Sequence, residues 1–258
     1  MKLLFLGDIV GRSGRKALSD SAARLRRTLE LDALLANAEN ASGGIGLNSK
    51  AAKELLALPV DALTSGNHIW KHKDIYNFFS ETDRLLRPAN YPDGAPGNGL
   101  GVFHTASGLP FAVLNLLGRT YMEAVDCPFA RAEALLVTLP QDVKVRIVDF
   151  HAEATSEKKA MGYHLDGRVS AVLGTHTHVQ TNDPRILPGG TAYLTDVGMC
   201  GPVDSIIGME ARSIVGRFLN RLPVRFEVSK GPARLEGALC EIDHTTGRAL
   251  SVRPWQGE

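Results

Sequence analysis

His176 and His178 stand two residues apart in Gly174-Thr175-His176-Thr177-His178, directly after the apolar run Val169-Ser170-Ala171-Val172-Leu173. In an extended segment such residues point to one side, with Cα atoms about 6.5–7 Å apart. That spacing lets each ring reach a different metal of a close pair, whose ions typically lie about 3.5–4 Å apart. Other nitrogen and oxygen donors occupy equivalent places. Asp8 follows the apolar run 3–6, Glu39 and Asn40 follow 33–38, Asn67 and His68 follow 60–64, and His151 follows 143–150. In open α/β sheets, ligands bind beyond the carboxyl ends of the strands. A single Asp, Asn or His in such a place is ordinarily a turn residue. The signal is the shared placement of all eight after apolar runs.

Carboxylate, amide oxygen and imidazole suit manganese, iron or zinc, and no thiolate is needed. Two such ions bridged by a carboxylate acidify a shared water and clamp phosphoryl oxygens. A neighbouring histidine can protonate the departing alkoxide. Read this way, the residues reach phosphoester hydrolysis. Competing motifs fit poorly. Residues 7–16 lack the Gly-Lys-Ser/Thr ending of a phosphate loop. Gly7, Gly11 and Gly14 have the wrong spacing for a dinucleotide site, although a helix starting near Ser13 suits phosphate at its N-terminus. Cys127, Cys200 and Cys240 are far apart and odd in number, as expected of reduced thiols.

Strands must bring these donors together. Apolar runs predict strands at 3–6, 33–38, 60–64, 111–116, 143–150, 169–173 and 192–195. Helical spacing predicts helices at 13–28, 49–58 with Asn48 as cap, 74–79, 129–136, and 156–164 with Ser156 as cap. Residues 87–101 are rich in Pro, Gly and Asn and read as a long loop. The tail carries strand-like stretches at 224–228, 233–242 and 249–252, expected as antiparallel pairs at an edge. Early strands alternate with helices and late ones do not, which predicts α/β mixed sheets with helices outside, in one domain over 1–258.

Elsewhere His72, His104, His164 and His244 read as surface or hydrogen-bonded residues, Arg12, Arg119 and Lys158 as surface charges, and Trp70 as rim packing. Glu153 and Asp196 are candidates to orient ligand imidazoles. A formal net charge of +1 over 258 residues gives no general case for binding RNA or a membrane through bulk charge. The apolar start of the chain is interrupted by Asp8 and is too short for a secretory segment. The expectation is a cytoplasmic protein. The stretch 197–208 is expected to line the site or a contact between subunits of a homo-oligomer.

Gly7-Asp8, Gly66-Asn67-His68 and the Gly-Thr-His-Thr-His run resemble the calcineurin-like metallophosphoesterases, and the order along the chain is similar too. The resemblance tightens to the bacterial YmdB-like 2′,3′-cyclic-nucleotide phosphodiesterases. It rests on Gly7 to Arg12, on Asn37-Ala38-Glu39-Asn40, on Asp149 to Lys158, on Leu165-Asp166-Gly167-Arg168 and on Thr195 to Met199. It implies a four-layer αββα sandwich and two metal ions, iron or manganese. One ion would be held by Asp8, Glu39, Asn40 and His178. The other would be held by Glu39, Asn67, His151 and His176, with Glu39 bridging. It further implies attack by a metal-bridging hydroxide on a cyclic nucleotide, 2′,3′-cyclic AMP above all, with His68 as general acid. Where the wider superfamily carries a second His and a bridging Asp, this chain has Val10 and Glu39. The alternatives are a phosphomonoesterase or nucleotidase on the same site, and a regulator that binds nucleotide or RNA with little turnover.

Overall fold

The computed structural model describes residues 1–257. Strand β1 (Lys2–Leu6) leads through Gly7 into the two-residue β2 (Asp8–Ile9) and then into α1 (Gly11–Thr28). Leu18, Ala22 and Leu25 recur at helical spacing and form the buried stripe of α1. β3 (Ala33–Asn37) is buried throughout. α2 (Ser49–Leu56) begins at Asn48, whose side chain accepts the Ala51 N–H as predicted. β4 (Ala62–Thr64), a 3₁₀ turn at Ile69–Lys71 and the short α3 (Ile75–Phe78) complete this half. Then come β5 (Leu100–His104), β6 (Pro110–Leu117), α4 (Pro128–Leu136), β7 (Val145–His151) and α5 (Thr155–His164). β8 (Ala171–Thr175), β9 (Arg185–Ile186), β10 (Ala192–Leu194) and β11 (Met199–Pro202) follow. The chain closes with α6 (Ala211–Asn220), β12 (Ala233–Ile242) and β13 (Ala249–Gly257).

Among the described residues the strands form two mixed sheets. One has the order β2-β11-β12-β1-β3-β4, with β13 also on β12, and the other β5-β6-β7-β8-β10-β9. Side chains alternate between the faces of a strand, and both faces are apolar here. Leu3, Phe5 and Leu35 of the first sheet meet Phe111, Ile147 and Leu173 of the second in a core between the sheets. The intervening Leu4, Leu6 and Leu34 pack outward with α1 residues Leu18 and Leu25 and with Leu55 of α2. Leu114, Val148 and Phe150 pack outward with Ala132 of α4 and Met161 of α5. Each such Leu or Phe stabilises the fold by about 1.5–3 kcal/mol. The layers run helix, sheet, sheet, helix, the expected αββα arrangement.

Several element expectations are corrected. β12 is no edge strand: it lies between β1 and β13, with Cys240 opposite Leu3 on one side and Val252 on the other. Residues 224–228 form no strand, because only Val228 finds a partner, a single bridge to Met209. α6 was not expected, since its exposed Val215, Phe218 and Leu219 blur the apolar period. β5 begins inside the stretch read as loop, and α5 starts at Thr155 without a side-chain cap from Ser156. Cys200 and Cys240 are buried free thiols and Cys127 is a half-buried one. No helix among the described residues is long and apolar enough to cross a membrane.

Candidate metal centre

Glu39 is fully buried just past β3, its N–H donating to Asn37 Oδ1 at 2.9 Å. Its carboxylate lies between two rings: Oε1 is 2.8 Å from His68 Nδ1 and Oε2 is 2.8 Å from His151 Nε2. His151 Nε2 is also 3.1 Å from Asn67 Oδ1 and 3.1 Å from His176 Nδ1. On the other side, His178 Nε2 is 3.1 Å from the Asn40 amide nitrogen and 3.7 Å from Asp8 Oδ1. The Asn40 amide oxygen is 2.9 Å from His68 Nδ1. All eight residues singled out from the sequence therefore meet in one place. The first sheet supplies Asp8, Glu39, Asn40, Asn67 and His68, and the second supplies His151, His176 and His178.

The histidine loop is not the extended segment expected. β8 ends at Thr175, and His176 and His178 follow with φ of 97° and 63°. Such left-handed conformations are strained for residues other than glycine, and they persist where the surroundings hold them. Here the His176 N–H donates to Asp8 Oδ2 at 3.1 Å. The Thr177 N–H and hydroxyl donate to Asp196 Oδ2 at 3.1 and 2.8 Å. Asp196 thus grips the residue between the two histidines and touches neither ring. Lys158, read as a surface charge, is 1% exposed and donates to that same Asp196 oxygen at 2.7 Å. Glu153 does meet a ring, at 3.1 Å from His176 Nε2.

These outer partners fix which nitrogen of each ring carries a proton. His178 Nδ1 faces the Ile207 carbonyl at 2.9 Å, which can only accept, so Nδ1 is the N–H and Nε2 keeps its lone pair. His176 Nε2 faces the Glu153 carboxylate, leaving the Nδ1 lone pair. The Thr175 hydroxyl donates to Asp149 Oδ1 at 2.7 Å, so it accepts from His151 Nδ1 at 2.9 Å, and Nε2 points inward. Asn37 steadies Asp149 with an N–H···O bond of 2.9 Å. With the rings neutral, as a metal requires, three imidazoles turn lone pairs inward. His68 does the reverse: its Nδ1 donates to the Asn40 amide oxygen, with Glu39 beside it. Sequence reasoning missed the roles of Asn37, Asp149 and Thr175. Their signal was a polar residue at or near the end of an otherwise apolar strand.

The electrostatics describe a site short of positive charge. Burial works against ionised Glu39, yet His151 and His68 hold its pKa well below the usual carboxylate range. Burial raises the pKa of Asp8, against the pull of His178 and His151. Burial opposes charge on His151, but Glu39, Asp8 and Asp149 together push its pKa up to about 9. Burial and the neighbouring His151 push His176 down to about 3. Asp8 Oδ1 and both Glu39 carboxylate oxygens are buried without a hydrogen bond, a costly state that a cation would relieve. Gly66 leaves the room: a Cβ there would stand 1.6 Å from Glu39 Oε2 and 2.3 Å from His151 Nε2. Glu39, His151 and His176 hold ligand atoms within 4.8 Å of one another. The donor set fits a metal ion.

The other singled-out residues lie outside this cluster. Trp70 packs against Tyr76, Phe79 and Tyr91. His72 hydrogen-bonds the Ile45 carbonyl, His164 lies 3.5 Å from Glu133, and Arg12, His104, Arg119 and His244 are exposed.

A family model described as YmdB-like protein matches residues 4–255. The chain belongs to the YmdB-like family. Among similar proteins is the 2′,3′-cyclic-nucleotide 2′-phosphodiesterase of Bacillus subtilis (strain 168). It is 46% identical over 252 residues, covering 98% of this chain and 95% of that protein. A crystal structure of a hypothetical protein from Thermus thermophilus superposes with a TM-score of 0.93 at 38% identity, covering 100% of this chain and 99% of that one. That of a novel phosphatase from Mycoplasma pneumoniae superposes with a TM-score of 0.92 at 36% identity, covering 99% and 92%. The YmdB-like fold thus carries the αββα arrangement described above.

Proposed function

We propose that the chain is a metal-dependent phosphodiesterase that opens 2′,3′-cyclic nucleotides to 3′-monophosphates. The observation that carries this reading is the inward set of three imidazole nitrogens beside buried carboxylate oxygens that lack hydrogen bonds. Asp8, Asn40 and His178 would hold one ion, Asn67, His151 and His176 a second, with Glu39 shared. Oxygen and imidazole donors without thiolate fit iron or manganese. When bound, such a pair acidifies water and neutralises charge on phosphoryl oxygens.

The protein's own groups supply the rest. His68 Nδ1 is committed to Asn40, so Nε2 is the nitrogen that can face substrate. Water attacks phosphorus, the bond to O2′ breaks, and His68 in its acid form delivers a proton to O2′. Glu153, Thr175 and the Ile207 carbonyl hold the three inward rings in the required tautomers throughout. The cyclic-nucleotide substrate follows the activity named for the B. subtilis relative. A phosphatase reading is favoured by the name of the M. pneumoniae structure. Metal analysis of the purified protein, paired with turnover of 2′,3′-cyclic AMP and of 3′-AMP, separates them. A 3′-AMP product that accumulates supports the proposal. Release of inorganic phosphate from 3′-AMP at a comparable rate overturns it in favour of a phosphomonoesterase.

A further inference from the structure

A second cavity, of about 560 Å³, lies at the opposite ends of β7 and β8 from the metal centre. Its floor is Arg146, the second residue of β7, whereas His151 ends that strand at the metal centre. Five residues at about 3.3 Å each put some 16 Å between them. Lys144, Arg146, Arg168 and Arg248 line this cavity, and no carboxylate among the described residues does. Lys144 and Arg248 are exposed, with no side-chain partner among the described residues. Arg146 is held in place by the Val143 and Arg168 carbonyls at 3.0 and 3.3 Å. Among the described residues, only Arg168 of these four cations has an ion-pair partner, Glu133 at 3.0 Å.

Asp166 and Asp243, next to the lining segments, are committed to hydrogen bonds of their own. Asp166 accepts the Gly189 and Thr191 N–H groups at 2.7 and 3.3 Å. Asp243 accepts from Thr245 and Thr246 in the β12–β13 turn. The wall opposite is glycine, and this brings Arg248 close: a Cβ on Gly190 would stand 2.8 Å from the Arg248 Nε. On the remaining side Leu136 and Val137 at the end of α4 offer an apolar surface, with Val137 78% exposed.

We propose that this cavity is a second ligand site, for a nucleoside monophosphate, distinct from the metal centre. Its volume is that of a small-molecule pocket. Four lining cations without a lining acid suit a phosphate dianion, which the guanidinium of Arg248 can grip by paired N–H groups. The apolar shelf at the end of α4 suits the flat face of a base. The site is assembled from the far ends of the same strands that carry His151 and the histidine loop.

The test is equilibrium dialysis of labelled 5′-AMP against the metal-loaded protein. Three proteins are compared: the wild type, Lys144→Glu/Arg248→Glu, and His178→Ala in the metal centre. The single Arg248→Gln variant, which removes one exposed charge, guards against misfolding of the double variant. The double variant should lose one equivalent of bound 5′-AMP with an unchanged melting temperature. His178→Ala should retain that equivalent. Arg248→Gln should weaken it by about tenfold, and added salt should weaken it further. Identical isotherms for the double variant and the wild type overturn the proposal, as does loss of all binding in His178→Ala. Adenosine binding as tightly as 5′-AMP overturns it as well, because the cations would then contribute nothing.

Discussion

His68 turns its N–H the opposite way from its neighbours. His151, His176 and His178 bind outer partners through one nitrogen and turn the other inward, while His68 donates to Asn40 inside the cluster. His68→Ala should therefore keep full metal content while turnover of a cyclic phosphodiester falls by about 10²–10⁴-fold, the usual size of general acid catalysis. Metal analysis and steady-state rates on one preparation decide it; unchanged rates with unchanged metal would remove His68 from the reaction. His151 offers a second check, through pH. Its folded pKa of about 9 lies above its ordinary 6.5, chiefly because Glu39 overcomes the cost of burial. The metal-free protein thus gains stability from the protonated ring below pH 6.5 and loses it as pH rises through about 9. A metal needs that nitrogen without its proton, so binding between these values must release a proton. Calorimetric titrations in two buffers of different ionisation enthalpy should differ by about one proton near pH 7.5. Equal heats would contradict the assignment. At this scale the convergence of the eight candidates was legible in the sequence, because Asp, Glu, Asn and His after apolar runs have few other reasons to converge. The tautomers were not, because they depend on Thr175, Glu153 and the Ile207 carbonyl, which reach the rings only through the fold.

Among elements, the histidine loop depends on a buried ion pair whose lysine reads from the sequence as a surface charge. Lys158 of α5 reaches Asp196, and Asp196 holds Thr177 between the two histidines. A lysine in a helix with polar neighbours reads as exposed. Only the packing of α5 over the end of β8 turns it inward. Lys158→Met would leave the Asp196 charge buried and unpaired, at a cost of about 3–5 kcal/mol. The strained φ values of His176 and His178 would lose one of their anchors. Thermal unfolding should show the loss of stability, and metal content should fall with it. A variant with the wild-type melting temperature and full metal content would show that the pair does not hold the loop. The strands carrying the ligands were legible because each is apolar on both faces. α6 and the true place of β12 were not: α6 exposes its apolar residues, and strand order between distant segments leaves no local mark.

For the whole molecule, the centre is a joint between two sheets. Asp8, Glu39, Asn40 and Asn67 come from the first sheet and its loops, and His151, His176 and His178 from the second. An unfolded chain cannot assemble this set, so a bound ion would stabilise the fold by mass action alone. Free metal at a hundred times its dissociation constant adds about 2.7 kcal/mol, and at a thousand times about 4.1 kcal/mol. In a chain of this size each kcal/mol moves the melting temperature by about 2–4 °C. Chelation should therefore lower it by on the order of 10 °C. Removing the metal also returns Asp8 Oδ1 and both Glu39 oxygens to burial without hydrogen bonds, which acts in the same direction. Glu39→Gln separates the two effects. It replaces the carboxylate proposed to be shared, so its melting temperature should respond little to chelator, while the wild type responds fully. Scanning calorimetry with and without chelator, with metal loss verified on the same samples, makes the comparison. A wild-type protein stripped of metal at an unchanged melting temperature would mean that the two sheets hold together without help from the site between them.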